Sequence, residues 1–486
     1  MSKTVYHIAA TCSLLFLSAC ASMAPEYQRP AMPVAGHWAG EDDAPAPGGG
    51  HAAELPWRQV FADARLQRLI ELALRHNRDL QVAVLNIEKA RAQYRIQRAS
   101  LLPQIEAAGS GTAQRTPAAT SVTGESGVSH TYGLEVGLAS YELDLFGRVR
   151  SLRDEALQSY LATEETRRSV HIALVAEVAD AWLALVTDRQ LLQLAERTLA
   201  SREGAYALQQ ARAEEGNASQ LDLRQAEREM EQARAQALSA TQQAALDANA
   251  LELLVGLPLD ASLLPEADVD LDTVLGTREI PAGLPSAMLQ ARPDILAAEH
   301  RLMAANAHIG AARAAFFPMI SLTAATGRGS DALSSLFDAG GRTWRFVPQI
   351  TLPIFTGGRL QAELEVSEAD RRIAVAEYEQ TIQTAFREVA DALARRSTAD
   401  ATVQAQSKRA QAAAEVDELV RLRYDTGVSD YLEVLDAQRT LYAAQQDRLQ
   451  AEQARQGSLV SLYRALGGGW LAQGQTDSAA AGPSGG

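Results

Sequence analysis

The chain has 486 residues, a formal charge of −15 and 47% apolar residues, of which few are aromatic. A chain this acidic is a poor partner for nucleic acid, whose backbone is held by cations, and a composition rich in Ala, Gln, Glu, Arg and Leu favours long helices. Its two cysteines, Cys12 and Cys20, both stand near the N-terminus, which excludes a disulfide framework and a cysteine metal site.

The N-terminus carries the clearest local signal. "MSKTVYHIAATCSLLFLSAC" has one early cation, Lys3, then an apolar stretch from Ile8 to Ala19. That stretch is too short to cross a bilayer, which takes ~20 apolar residues. Residues 1–19 therefore read as a removable secretory signal. Leu17–Cys20, "LSAC", resembles the lipobox of bacterial lipoproteins, in which cleavage frees Cys20 to carry N-palmitoyl and S-diacylglycerol groups. The plainer alternative is an ordinary signal peptide with an incidental cysteine. Residue 21 is Ala, not Asp, which by resemblance to lipoprotein sorting favours outer-membrane lipid. More than one acyl chain makes such an anchor stable, at ~0.8 kcal/mol per buried CH₂. No later apolar run has the length of a spanning helix. Residues 20–65 begin as an extended tether rich in Pro, Ala and Gly ("PAMPVAG", "DAPAPGGG").

Beyond the tether the chain is written twice. "EVADAW" at Glu177 answers "EVADAL" at Glu388, Gly216 answers Gly427, and Gly256 answers Gly467, each pair 211 residues apart. Upstream, Asp79 pairs with Asp294 and Pro103 with Pro318 at a spacing of 215, a difference that loops can absorb. The repeats are placed at 66–258 and 286–470, with a linker at 259–285 and a disordered tail at 471–486.

Each repeat predicts the same elements in order. A helix without Gly or Pro runs from Leu66 to Leu102, answered by one from Pro293 to Phe317, with proline in its first turn. Hairpins of alternating sequence follow at 101–147 and 316–357. In "GLEVGLASYELDL", Leu134, Val136 and Leu138 share one face; in "WRFVPQITLPI", Trp344, Phe346, Ile350, Leu352 and Ile354 oppose Arg345, Gln349 and Thr351. Pro348 and Pro353 fit a strand badly, since proline is confined to edges and bulges. Helical hairpins come next, at 148–255 and 359–466. Their first arms, of roughly 66 residues, would reach ~100 Å. The returning arms, Asn217–Val255 and Val428–Leu466, are shorter, and reach the same span when stacked end to end with a helix such as 293–317.

Four strands cannot close a barrel, which takes ~8 or more, and as an open sheet they leave two bare edges. Oligomerisation removes the edges: two chains give eight strands and three give twelve. Alternation over ~9–11 residues suits an outer-membrane barrel.

"NRDLQVAV…ARAQYRIQRASLLPQI", "RPDILAAEHRLMAANAHIGAARAAFFPMISL", "LPIFTGGRL" and "YDTGVSDYLEVLDAQRTLYAAQ" resemble the TolC-like outer-membrane factor family, and the lipobox points to its lipidated, NodT-type multidrug-efflux branch. "LPWRQVFADARLQRLIELAL" fits the same family, so the likeness covers nearly all of the mature chain. It implies an α+β fold dominated by long α-helices. A homotrimer would build a twelve-strand transmembrane β-barrel, four strands per chain, continued by a twelve-helix periplasmic α-barrel with an equatorial domain. It also implies a periplasmic adaptor and an inner-membrane RND transporter as partners, and an exit duct for drugs and other small molecules.

Glu433 and Asp436 stand three apart on a helix and share a face. Turned inward in a trimer, that face sets six carboxylates in a ring, and acidic rings select cations. A solvated acidic face is the alternative on the residues alone. The resemblance places Glu433 and Asp436 at the family's periplasmic constriction. It also matches Tyr424 and Asp222 to a pair that holds neighbouring hairpins together when shut. An arginine that latches some members would fall at Ser429, so that link is missing here, with Arg224 as the candidate substitute and Tyr431 as a further narrowing of the bore. The tips Gly216, Asn217, Ala218, Ser219 and Thr426, Gly427, Val428, Ser429 are adaptor-docking candidates by resemblance. Turn chemistry accounts for them too, the glycines ending one helix and Asn217 or Ser429 capping the next.

No enzyme and no cofactor is expected. His76, His171, His300 and His308 are scattered along helices without a companion ligand motif, and "GRGSDALSS" at Gly327 lacks a phosphate-loop lysine. Two other non-enzymatic readings stand beside the efflux duct: an exit duct for secreted protein, and a periplasmic coiled-coil adaptor, which would have no use for an apolar outer belt.

Overall fold

The computed structural model describes residues 22–35, 55–121, 124–266, 268–276 and 291–468. Cys20, the signal at 1–19, the tail at 471–486 and the last part of the linker, 277–285, lie outside the described residues. In chain order the helices and strands are α1 (Trp57–Val60), α2 (Ala64–His76), α3 (Arg78–Ala99), β1 (Ile105–Thr116), β2 (Gly127–Glu142), α4 (Arg148–Glu214), α5 (Gln220–Val255), α6 (Pro293–Ala314), β3 (Met319–Ser330), β4 (Arg342–Thr351), α7 (Arg359–Asp425) and α8 (Tyr431–Ala465). The duplication is evident: α3 and α6 have 22 residues each, and α4 and α7 have 67 each. The helix expected from Leu66 to Leu102 is two helices. Asn77 breaks it, because its side chain accepts from Leu80 N at 2.9 Å, capping α3, and donates to Leu254 O at 2.9 Å.

The chain forms two compact units. One gathers Asn86–Glu164 and Ala297–Tyr378 with the segment up to Ala31 and holds the sheet. Its four antiparallel strands run in the order β1-β2-β3-β4, so β1 and β4 each keep one open edge within the chain. The register sorts the residues onto two faces. Val136 lies opposite Ala107 and Thr326, and Thr326 opposite Trp344. Leu138 lies opposite Ile105 and Ala324, and Ala324 opposite Phe346. This apolar face is uncovered: Trp344 is 79% exposed. The other face carries Glu135, Arg345 and Gln349, with Arg345 Nη2 3.3 Å from Glu135. Pro348 sits on the edge strand opposite Leu322, where alternate amides need no partner, and Pro353 falls beyond the strand's end. The polar face is tightly drawn: a Cβ on Gly327 would stand 2.2 Å from Leu134 O, and one on Gly137 2.5 Å from Ala324 O. A bulge between Leu138 and Tyr141 adds a bend.

The second unit holds the remaining helical parts. Its core packs Trp57, Phe61, Leu66, Leu69 and Ile70 from α1, α2 and the turn between them with Trp182 and Val186 of α4, Leu251 and Val255 of α5, and Tyr463 of α8. Phe61 meets Tyr463 edge-on at 5.8 Å. Each such side chain contributes about 1.5–3 kcal/mol on burial. α4 contains a stretch apolar enough to cross a bilayer, contrary to the expectation of none, but 61% of it is buried inside the fold.

Asp188 on α4 faces Asp247 on α5, whose Oδ2 is shut off from solvent. Burial, and then the neighbouring carboxyl, push Asp188 up to about 7. The folded chain thus keeps a proton that the unfolded chain releases near pH 4, and the contribution to stability falls as pH rises from 4 to 7. Asp188→Asn is expected to flatten that slope and to raise stability at pH 8 by about 1 kcal/mol, after allowance for the solvent reaching the pair. Denaturation midpoints at pH 5 and pH 8 test this; an unchanged pH slope would count against it.

Candidate functional site

The turns joining α4 to α5 and α7 to α8 are built alike. Gly216 and Gly427 take φ of +77° and +75°, a left-handed conformation that suits glycine. Asn217 N donates back to Arg212 O at 2.7 Å, and Val428 N to Arg423 O at 2.8 Å, closing each helix end. Asn217 thus still belongs to the preceding helix end, and the caps fall later than expected. Ser219, not Asn217, caps α5: its Oγ accepts from Asp222 N at 3.1 Å, while Asp222 accepts from Ser219 N at 3.3 Å. Asp430, not Ser429, caps α8, accepting from Glu433 N at 2.9 Å. Ser429 instead meets the Glu433 carboxylate through its hydroxyl. Thr426 closes its own turn, its hydroxyl donating to Leu422 O at 3.0 Å. Ala218, between Asn217 and Ser219 in the first turn, is half-buried.

Glu433 and Asp436 emerge on one exposed face of α8 and line a groove of about 760 Å³ against α7, with Leu432, Val416, Val420 and Arg409. Asp436 is the freer, 76% exposed with Arg439 at 3.5 Å. On the opposite face, Tyr431 is only 8% exposed and packs with Ala226, Val434 and Leu435 against Tyr206, Val420 and Tyr424. It packs the hairpin tips together within the chain. Tyr424 and Asp222 are occupied separately within the chain. The Tyr424 hydroxyl accepts from Gln209 Nε2 at 3.0 Å and Arg212 Nη1 at 3.1 Å, whereas Asp222 is held in its cap. Arg224 is committed to Glu227 one turn on, at 2.5 Å. Gln209 and Arg212 escaped the sequence reading, since their partner is over 200 residues away and nothing local marks them.

Two of the helical histidines are engaged by neighbouring helices: His300 Nδ1 meets Gln158 at 2.7 Å and His308 Nδ1 meets Glu155 at 2.8 Å. Among the described residues no His, Cys, Asp and Glu cluster is arranged to hold a metal.

Duplicated long helical hairpins, joined to a four-stranded sheet that is apolar on one face and polar on the other, define the subunit of an outer-membrane channel. The chain belongs to the outer membrane efflux protein family, whose profile matches residues 69–257 and again 284–468. It is 48% identical over 475 residues to the antibiotic efflux pump outer membrane protein ArpC of Pseudomonas putida, covering 97% of each chain. The toluene efflux pump outer membrane protein TtgC of the same species matches with the same identity and coverage. The crystal structure of the open state of the MtrE outer membrane channel of Neisseria gonorrhoeae superposes with a TM-score of 0.82 at 41% identity, covering 92% of this chain and 98% of that one. The chain is thus the outer-membrane channel component of an efflux pump, in a family of channels and not of enzymes.

Proposed function

We propose that three copies of the chain form a passive exit duct, each β4 pairing with the next copy's β1 to close twelve strands. The observation that carries this is the sheet itself: two free edges, an uncovered apolar face and a polar face drawn tight by glycine. The apolar face meets lipid and the polar face lines the lumen. Acyl groups on Cys20 add an anchor in the outer-membrane lipid. The repeats, at 66–258 and 286–470, each supply one helix pair to a periplasmic tunnel of twelve helices, with 20–65 and 259–285 forming an equatorial girdle. The tips Gly216–Ser219 and Thr426–Ser429 dock a periplasmic adaptor, which links the duct to an inner-membrane RND transporter. Relatives named for antibiotic and toluene efflux favour small molecules over secreted protein as cargo.

Glu433 and Asp436 form the periplasmic gate of this duct, six carboxylates facing the axis. Tyr431 and Tyr424 pack behind them, and Asp222 steadies the adjoining hairpin. Crowded carboxylates attract cations. Purified protein should run as a trimer in detergent and conduct in a planar bilayer; a monomer without conductance would sink the duct. The double variant Glu433→Gln, Asp436→Asn should lower cation preference severalfold, read as a reversal potential moving toward zero in a salt gradient. An unmoved reversal potential would remove the ring while leaving the duct intact.

A further inference from the structure

The apolar face of the sheet carries two arginines that the duct leaves without a role. On β4, Phe346, Trp344 and Arg342 follow at every second residue, and on β3 Ala324, Thr326 and Arg328 do the same. Arg342 lies directly opposite Arg328, and Arg328 opposite Leu134, so both cations stand on the side that holds Trp344. Both are exposed. Like charges directly opposite each other on paired strands repel. Among the described residues the ion pairs made by the strands join Arg345 to Glu135 and Arg148 to Glu142, and neither includes Arg328 or Arg342. Arg328 Nη1 donates to two carbonyls of the loop after β3, Phe337 O at 2.6 Å and Asp338 O at 3.0 Å. Those bonds orient the guanidinium and cancel none of its charge.

The level of the pair on the strands points to its partner. Arg342 opens β4 and Arg328 is the third residue from the end of β3, so both stand at the loop end of the sheet, whereas the opposite strand ends lead into helices. Ile350 on the same face is eight residues further along β4 than Arg342, about 26 Å along the strand at ~3.3 Å per residue. A tilt of about 40° turns this into roughly 20 Å of depth, close to the ~25 Å apolar band of an outer-membrane barrel. The arginines therefore stand at the border where acyl chains give way to headgroups, next to Trp344, a residue of the kind that girdles such a band. A cation on the lipid face is costly at mid-depth and tolerated at that border. Guanidinium groups hold phosphate oxygens through paired, charge-assisted bonds. We propose that Arg328 and Arg342 bind a phosphate of lipid A, the phosphorylated glycolipid of the outward leaflet, with its acyl chains lying along Trp344 and Phe346. This site rests on the reading that the apolar face meets lipid.

Lipid A in diphosphorylated and phosphate-free forms, with the same acyl chains, is the probe, added to the full chain purified in detergent and read by native mass spectrometry. The diphosphorylated form should bind the parent at least tenfold more tightly than the phosphate-free form. Arg342→Gln should weaken that binding at least threefold, and Arg328→Gln with Arg342→Gln at least tenfold. Arg345→Gln, on the same strand but the other face, should stay within twofold of the parent. Equal binding of the two lipid forms, or a double variant that binds as the parent does, would overturn the site. Should the double variant fail to assemble, the two lipid forms compared on the parent still decide. Inorganic phosphate in large excess should not displace the lipid; displacement would mark a site for free phosphate and overturn the lipid assignment. Conductance of the same preparation reports the duct separately. A conducting trimer indifferent to the phosphates loses only this site, whereas a monomer without conductance loses the duct and the site with it.

Discussion

Gly327→Val is expected to abolish assembly of the channel in the outer membrane. A Cβ at this position would stand 2.2 Å from Leu134 O, 2.7 Å from Glu135 Cα and 2.9 Å from Glu135 Cβ. The nearest of these are backbone atoms of β2, so they can yield only by parting β2 from β3. That ladder, running from Tyr132–Ser330 to Glu142–Ser321, joins the sheet contributed by the two repeats. Ordinary overpacking costs about 1–3 kcal/mol, and a backbone clash in a closed sheet reaches or exceeds the upper figure. Gly329→Ala is the matched control, because its Cβ would meet Thr343 Cγ2 at 3.6 Å and Tyr132 O at 3.8 Å, both ordinary contacts. Immunoblots of outer-membrane fractions, heated and unheated, distinguish assembled from unassembled protein. Parent-like assembly of the valine variant would show that the sheet is not drawn tight there.

Arg292→Ala is expected to destabilise the helical unit by about 2–4 kcal/mol, the range for breaking a buried ion pair when its carboxylates keep some solvent. Arg292 is 8% exposed and ties three helices. Its Nη1 donates to Ala465 O at 2.6 Å, at the end of α8, while Nη2 reaches Asp294 of α6 at 2.7 Å and Glu388 of α7 at 2.9 Å. Deletion leaves a helix-end carbonyl and two carboxylates without their shared donor. Arg292→Lys keeps the charge but cannot span three acceptors with one ammonium, so it should recover less than half of the loss. Helical circular dichroism of detergent-solubilised protein against denaturant measures both. A midpoint within 0.5 kcal/mol of the parent for the alanine variant would show that the bridge is dispensable, since surface changes fall in that band.

The duplication and the long hairpins were readable because their signals are local. Gly216 and Gly427 end helices that contain almost no other breaker, and the strands alternate plainly. What escaped depends on distant partners. Asn77 looks tolerable inside a helix until Leu254, 177 residues on, claims its amide. The caps fall at Ser219 and Asp430 because Asn217 and Ser429 still belong to the preceding helix ends, their N–H groups donating to Arg212 O and Arg423 O. Tyr431 shows how periodicity sorts the tip residues. Tyr431, Val434 and Leu435 follow helical spacing and are buried together, whereas Glu433 and Asp436 lie on the opposite, exposed face of the helix. The same periodicity that gives the acids a common side consigns the tyrosine to the other.

The two rims of the sheet are not interchangeable: β1 is flanked only by β2, and β4 only by β3. In the proposed trimer, subunits therefore join head to tail, and the ring closes only when every junction is sound. A subunit crippled at one rim would spoil companions that are themselves intact. With normal and crippled copies made equally in one cell and mixed at random into threes, only about one ring in eight would be whole. Lesions at either rim should behave genetically as dominant poisons, while lesions in the helical unit that prevent a chain from joining at all should be recessive.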